Sequence, residues 1–337
     1  MKNKIAIIGH GLAGAMLSQT FIRNGQDVDV YESNLPFGAS TVAAGLVNPL
    51  IGPKLNLPLD IKKCLSSIRR VKKYYQRKEN LVFYKELSLL RIFKNKNQAK
   101  RWNSQSNEFL AFVEKQHPQS LVDFRGEFIH APYNLGVTKC FQLQVRLFLD
   151  YSKYILKERG CWIKETFDYS CEDYSKVIFA EGYRVNSNPW FNDIPFSPVR
   201  GETLEVSNRL PYACSNGTWA VPTPESGFIA GSTWDHQQLE IGPTQVGAKT
   251  IITGLNFLKY ESLDITKQNS GIRSGTIDRN PIMGQHPEKR NIYLFNGFGS
   301  RGATTIPFYA ERMFEFINNQ SPLPDYVNIE RFTKEKT

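Results

Sequence analysis

No two of the five cysteines in this sequence form a C-x-x-C pair. They stand at 64, 140, 161, 171 and 214, an odd number at wide spacing. That pattern argues against a zinc site and a disulfide framework, and it fits a reducing cytoplasm. The histidines are equally scattered, so no metal is expected. No apolar run reaches the roughly 18 to 20 residues that span a bilayer, and no membrane partner is expected. The N-terminal MKNKIAIIGHG starts basic, but its apolar stretch stops at a glycine, which is too short for a secretory leader. Internal repeats and low-complexity linkers are also lacking. What is present is a globular composition with 41% hydrophobic and 12% aromatic residues in 337 positions, enough for one large domain or two closely joined ones.

Acidic residues are scarce in one region. From Lys62 to Arg101 there are fourteen Lys and Arg against Glu79 and Glu86, a net +12 in a chain whose total is +10, so the remaining chain is near neutral at −2. Ile61, Cys64, Leu65, Ile68 and Val71 recur at helical spacing within this stretch, which puts the charges on the solvent side of an amphipathic helix. Two readings remain open: a solvated lysine-rich face, or a surface that attracts a polyanion such as tRNA. The segment 62–101 is expected to stand apart from any catalytic pocket.

The first thirty residues read strand, glycine turn, helix, strand. KIAIIG is a buried strand, GHGLAG supplies Gly9, Gly11 and Gly14, AMLSQTFIRNG is helical, and DVDVYE is a second strand that ends in Glu32. This is a βαβ unit with G-x-G-x-x-G and an acid about 20 residues on. Gly9 permits the tight turn, Gly11 lets the backbone approach a diphosphate, and Gly14 lets helix and strand pack. Glu32 suits ribose hydroxyls. The motif alone leaves NAD and FAD open. The stretch that follows, NLPFGASTVAAGLVNPLIGPKL, offers serial small residues where an NAD-binding domain would turn quickly into its third strand, and such residues admit a flat ligand.

Further on, residues 80–140 read as a strand-rich insertion. QLQVRLFLDYSKYILKERG is an amphipathic helix, and VIFAEG is a buried strand that opens at Ala180 and Gly182. PVRGETLEV and TWAVPTPESGFIAGSTWD form a second antiparallel block. NIYLF, a buried strand, leads into NGFGSRGATTIPF, a glycine-rich strand-to-helix turn close to the end of the chain.

These pieces in this order resemble the D-amino-acid oxidase-like FAD oxidoreductases, the superfamily of glycine oxidase and monomeric sarcosine oxidase. The resemblance is carried by GHGLAG with Glu32, GASTVAAGLVNP, VIFAEG, VPTPESGFIAGST, GIRSGTIDRNPIMG and NGFGSRGATTIPF. It implies an α/β protein: a Rossmann-like FAD-binding domain (1–80, 141–200 and 268–337) with an inserted α+β substrate domain on an antiparallel sheet (81–140 and 201–267). It also implies FAD contacts from Gly9, Gly11, Leu12, Ala13, Gly14 and Glu32, from Ser40, Thr41, Ala43, Ala44, Gly45 and Leu46, and from Ala180 and Gly182. The late turn, Gly297, Phe298, Gly299, Ser300, Arg301, Gly302, Ala303 and Thr304, would close over the pyrimidine end of the flavin. Arg273 falls where such enzymes pair with a substrate carboxylate and lie near the flavin; the alternative is a structural arginine paired with Asp278. Trp219 falls at an aromatic position near the flavin, with core packing as the alternative.

The oxygen-activating lysine of the sarcosine-oxidase branch has no counterpart in GFIAG, and the flavin-anchoring cysteine of that branch has none near 296–304. Non-covalent FAD is therefore expected, and the electron acceptor stays open. The expected reaction is C–N oxidation of a small amine, an amino acid or N-substituted glycine, with no side chain assigned as catalytic acid or base. GSRG, GAS-x-x-x-x-G-x-x-x-P-L and RSGTIDRNPIMG are also similar to the oxidase half of the bifunctional enzyme that processes carboxymethylaminomethyl-uridine in tRNA. A flavin-binding partner protein without turnover is the remaining alternative.

Overall fold

Alternation along the first strand sets the architecture. In β1 (Ile5–Ile8), Ile5 and Ile7 enter one core while Ala6 and Ile8 enter another, so the strand is covered on both faces. That is why it reads as a continuous apolar run. The computed structural model describes residues 4–332 apart from 34, 53, 105, 115–118 and 226. The motif VPTPESGFIAGST therefore has one position, 226, outside the described residues.

The chain continues through α1 (Leu12–Arg23), β2 (Val28–Tyr31), β3 (Leu46–Val47) and α2 (Ile61–Lys78). Next come β4 (Tyr84–Ile92), three short helices, α3 (Lys96–Asn103), α4 (Asn107–Leu110) and α5 (Gln119–Phe128), and β5 (Leu135–Leu143). The middle of the chain gives α6 (Val145–Glu158), β6 (Trp162–Ile163), β7 (Lys176–Phe179), β8 (Val199–Val206), β9 (Ala213–Ser215), β10 (Trp219–Pro222) and β11 (Phe228–Gly231). It closes with α7 (Gln245–Gly254), β12 (Ile265–Arg273), β13 (Ile282–Gln285), β14 (Ile292–Asn296) and α8 (Gly302–Asn319).

Two sheets result. The first runs β13-β14-β7-β1-β2-β6 and is parallel except for β13 against β14. Residues of α1, α2, α6 and α8 fill one of its faces, and residues 167–196 with Ile329 fill the other. The second runs β12-β8-β11-β10-β9-β4-β5-β3 and is antiparallel except where β4 meets β9. One face packs on α5 and α7. The other carries Ala44, Leu89, Ala213 and Val221, with Trp219 against them. The α/β class and the mixed architecture anticipated from the sequence are present.

The strand-rich reading of 80–140 needs correction. LVFYKEL and LSLLRIF belong to one strand, β4, and GEF of GEFIHAPYNLG ends α5. Two of the helices between β4 and β5, α3 and α4, have cap signals that the aromatic content obscured. Asn95 accepts from the Gln98 N–H at 3.0 Å, and Ser106 accepts from the Phe109 N–H at 3.4 Å. The chain crosses between the sheets four times among the described residues, through α6 between β5 and β6 and through irregular segments between β2 and β3, β7 and β8, and β12 and β13. The boundaries expected at 140/141, 200/201 and 267/268 fall inside β5, β8 and β12.

α2 is amphipathic as its spacing indicates: Ile61, Cys64, Leu65, Ile68 and Val71 are buried. Its basic face is partly paired, through Lys62 with Glu108, Arg70 with Glu311 and Lys72 with Glu86. No helix among the described residues is long and apolar enough to cross a membrane.

One polar contact ties the second sheet to α8. Pro307 lies inside this helix and has no N–H to give to the carbonyl of Ala303. The buried Tyr84 hydroxyl of β4 donates to that carbonyl at 3.0 Å, so the tyrosine replaces the missing helix bond. Tyr84→Phe should lower the unfolding free energy by about 1 kcal/mol in a urea titration, the usual net value of one hydrogen bond. Adding Pro307→Ala, which restores the N–H, should recover most of the loss. A double variant no more stable than Tyr84→Phe would refute the replacement.

Candidate active site

A cavity of about 1060 Å³ opens where the ends of β1, β7 and β12 meet β10 and the turn before α8. Every site residue singled out from the sequence lines it except Gly14 and Gly297. Those two shape its walls. A Cβ at Gly14 would overlap the carbonyl oxygen of Gly9, so only glycine lets α1 sit this close to the preceding turn. Gly297 turns the chain with φ 78°, a conformation that favours glycine.

The start of α1 forms one end of the cavity. Helix N-termini present unpartnered N–H groups and a positive dipole end, which suits a diphosphate. The structure adds a detail: Ser40 Oγ accepts the Leu12 N–H at 2.8 Å. Ser40 thus fastens the small-residue segment across the helix start. Glu32 follows β2, lines the cavity, and accepts the His10 N–H at 3.2 Å. The His10 ring is buried beside Ser152, 3.0 Å from its hydroxyl, and burial lowers its pKa to about 3, so it is neutral. Glu181 lines the same region. Burial raises its carboxyl to about 7, partly opposed by hydrogen bonds from Asn188 and Tyr169.

At the other end the late turn is held by two residues that the sequence reading passed over. Asn296 is buried, and its Nδ2 donates to the Gly182 carbonyl at 2.8 Å. Its Oδ1 accepts from the Gly297 N–H at 2.8 Å and from the Ser274 hydroxyl at 2.5 Å. The Ser274 carbonyl takes the Gly299 N–H at 2.8 Å. These bonds tie β7, β12 and β14 together and aim Gly302, Ala303 and Thr304, the first turn of α8, at the cavity. An Asn at the end of a buried strand was the available signal.

Arg273 ends β12 and enters the cavity. Its NH2 donates to Ser232 Oγ at 2.7 Å, and its guanidinium lies 5.0 Å from the centre of the Trp234 ring. A Cβ at Gly201, directly across the ladder from Gly271, would overlap the guanidinium. The pairing with Asp278 considered from the sequence does not occur. Asp278 instead binds Arg331 at 2.8 Å. Desolvation is the cause that lowers the Arg273 pKa, to about 10, with no neighbouring carboxylate offsetting it. The site therefore holds a largely desolvated cation without an anion among the described residues. Trp219 faces the cavity from β10, on the side of the second sheet opposite α5 and α7.

One expectation about the basic segment is overturned. Arg91, Lys94 and Gln98 line the cavity, so part of 62–101 belongs to its wall. β4 runs past the cavity and ends there, which sequence distance does not reveal. Arg91 is fixed by donating to the Leu50 carbonyl at 3.1 Å and to that of Gly52.

The residues fit a flavin dinucleotide. Two helix starts open into one cavity, a carboxylate follows the second strand, and none of the five buried cysteines lines the wall. A sequence model of the family described as FAD dependent oxidoreductase matches residues 4–315. The tRNA 5-methylaminomethyl-2-thiouridine biosynthesis bifunctional protein of Campylobacter jejuni is 24% identical over 354 residues, covering 95% of this chain and 56% of that protein. The chain thus spans about half the length of that curated relative. Glycine oxidase of Bacillus licheniformis is 30% identical over 139 residues, 37% of this chain and 36% of that one. Among solved structures, glycine oxidase from Bacillus cereus superposes with a TM-score of 0.77 at 17% identity, over 95% of this chain and 96% of that one. L-proline dehydrogenase from P. horikoshii gives 0.80 at 15% identity, over 99% and 98%. These structures share the fold. With a matching family model over most of its length, the chain belongs to the FAD-dependent oxidoreductases.

Proposed function

We propose that this protein oxidises the C–N bond of an amine that carries a carboxylate, an amino acid or N-substituted glycine. The observation that carries this reading is Arg273, which enters the cavity from the end of β12 beside Ser232 and Trp234 and has no carboxylate beside it among the described residues. A guanidinium fork pairs with a carboxylate through two parallel hydrogen bonds, and its planar geometry also orients the substrate. Gly11, Leu12, Ala13 and Glu32 hold the diphosphate and ribose of non-covalent FAD, and the turn from Phe298 to Thr304 holds the pyrimidine end of its ring. When bound, FAD supplies the acceptor for a hydride from the carbon attached to nitrogen. The substrate is left as an imine, which water hydrolyses to a carbonyl compound and an amine.

This chain's residues contribute position and field. Arg273 fixes the carboxylate and so the direction of the reacting C–H bond. The α8 start presents N–H groups where the reduced cofactor gains negative charge. No side chain is needed as an acid or base, and none is assigned.

A narrower substrate is supported by a separate observation. Arg91 and Lys94 line the cavity, and Lys96 and Lys100 continue the positive charge along α3. A basic wall beside a carboxylate-binding site suits an N-substituted glycine attached to a nucleic acid, such as a carboxymethylaminomethyl-uridine in tRNA.

Two outcomes test these readings. Arg273→Ala should retain FAD but lose the anaerobic reduction of flavin by N-methylglycine. A bidentate pair left unmade costs about 2 to 5 kcal/mol, or roughly 30-fold to several thousand-fold. Arg273→Lys should recover only part. A reduction rate per bound FAD that survives in Arg273→Ala would end the carboxylate assignment.

For the RNA reading, tRNA binding should weaken steeply with salt, and Lys94→Glu with Lys100→Glu should reduce the slope of log affinity against log salt by about 2. Binding that is undetectable or independent of salt would eliminate RNA as the substrate carrier.

A further inference from the structure

The segment after β11 carries a large apolar side chain that no motif predicts. Trp234 lines the cavity and is nevertheless 59% exposed. Exposed single apolar side chains occur elsewhere on this surface, Leu59, Val246 and Ile277 among them, so exposure alone means little. The indole, however, is not free to turn away. Its Nε1 donates to His236 Nε2 at 3.0 Å, and His236 Nδ1 lies 3.1 Å from the Pro198 carbonyl. A carbonyl only accepts, so Nδ1 carries the ring proton and Nε2 is left to accept from the indole. Both bonds select one tautomer and one ring orientation. On its inner side the indole meets the Arg273 guanidinium, 5.0 Å from the ring centre.

A flat aromatic surface is therefore held in fixed register with a cation that lacks an anion. We propose that Trp234 is a specificity-determining residue: it stacks on a planar ring in the substrate's N-substituent while Arg273 holds the carboxylate. This rests on the reading of Arg273 as the carboxylate anchor. The guanidinium lies over the inner face of the indole, so the outer, exposed face is the one open to a ring beyond the substrate nitrogen. A bare amino acid or N-methylglycine satisfies the cation and leaves the indole uncovered. A substrate with a nucleobase or phenyl ring beyond the nitrogen satisfies both, and the stacking is tolerant of which ring it is because every such ring has a π face.

The test compares two ligands on the FAD-loaded protein with its flavin reduced, so that neither is turned over. N-benzylglycine and N-methylglycine are titrated by calorimetry. The wild type should bind N-benzylglycine at least about 10-fold more tightly, since one stacked ring is worth about that factor or more. Trp234→Ala should bring the ratio to within about threefold of unity, and Trp234→Phe, which keeps a smaller π face, should retain an intermediate ratio. A wild type with no preference, or without detectable binding of either ligand, overturns the proposal. So does a preference that survives in Trp234→Ala. Arg273→Ala separates the underlying reading: it should weaken both ligands together. If both affinities persist there, the carboxylate anchor fails, and Trp234 is judged on the ratio alone.

Discussion

A guanidinium partly withdrawn from water on a cavity wall, with no carboxylate beside it among the described residues, is the constraint around which this site is arranged. Arg273 is desolvated, and its pKa is lowered to about 10 for that reason. Leaving such a charge unpaired is unfavourable by several kcal/mol, and proteins tolerate it where a ligand completes the pair. The fold supports the charge with groups that do not neutralise it: the Ser232 hydroxyl, the Trp234 ring and the clearance at Gly201. The nearby buried cation, Arg200, is treated differently. It binds Asp235 at 2.9 Å and lies 3.4 Å from Glu202. Glu202 is also satisfied by Thr244 and Gln268. Arg200 is thus paired with carboxylates, though its buried Nε lacks a partner, whereas Arg273 on the neighbouring strand has no carboxylate beside it among the described residues.

The cofactor end obeys a second constraint, that two helix starts reach the same cavity from opposite ends of the chain. α1 and α8 pack against each other on one face of the first sheet. Their parallel service to one elongated ligand depends on the strands before them, β1 and β14, being separated only by β7. Asn296 and Ser274 lock that arrangement by joining β14, β12 and the turn after β7. The second sheet then closes the cavity with Trp219 and the end of β4, and Tyr84 bonds it to α8.

Local patterns carried much of this. The βαβ unit with Glu32, the amphipathic α2, the buried β7 and the turn into α8 all follow from periodicity and glycine spacing within short windows. So does the α/β class. The short helices α3 and α4 were hidden because aromatic residues favour strands by propensity, while single cap residues, Asn95 and Ser106, start these helices. Contacts assembled across the chain were hidden for another reason. Arg91 and Arg273 line one cavity although 182 positions separate them, and Trp234 gains meaning only from the guanidinium beneath it. The arginine itself was legible through family resemblance, but its partner was not: Asp278 looked available in sequence and is held by Arg331.

The central claim is that a substrate anion completes Arg273 and so enables oxidation of the adjacent C–N bond. The most direct measurement compares anaerobic flavin reduction by an N-substituted glycine with that by its neutral amide, on the same FAD-loaded protein. The two differ in charge and hardly in shape. The account predicts that the carboxylate reduces the flavin at least about 100-fold faster at equal concentration, since a desolvated charge-assisted pair is worth about 3 kcal/mol or more. Equal rates for the two would contradict it.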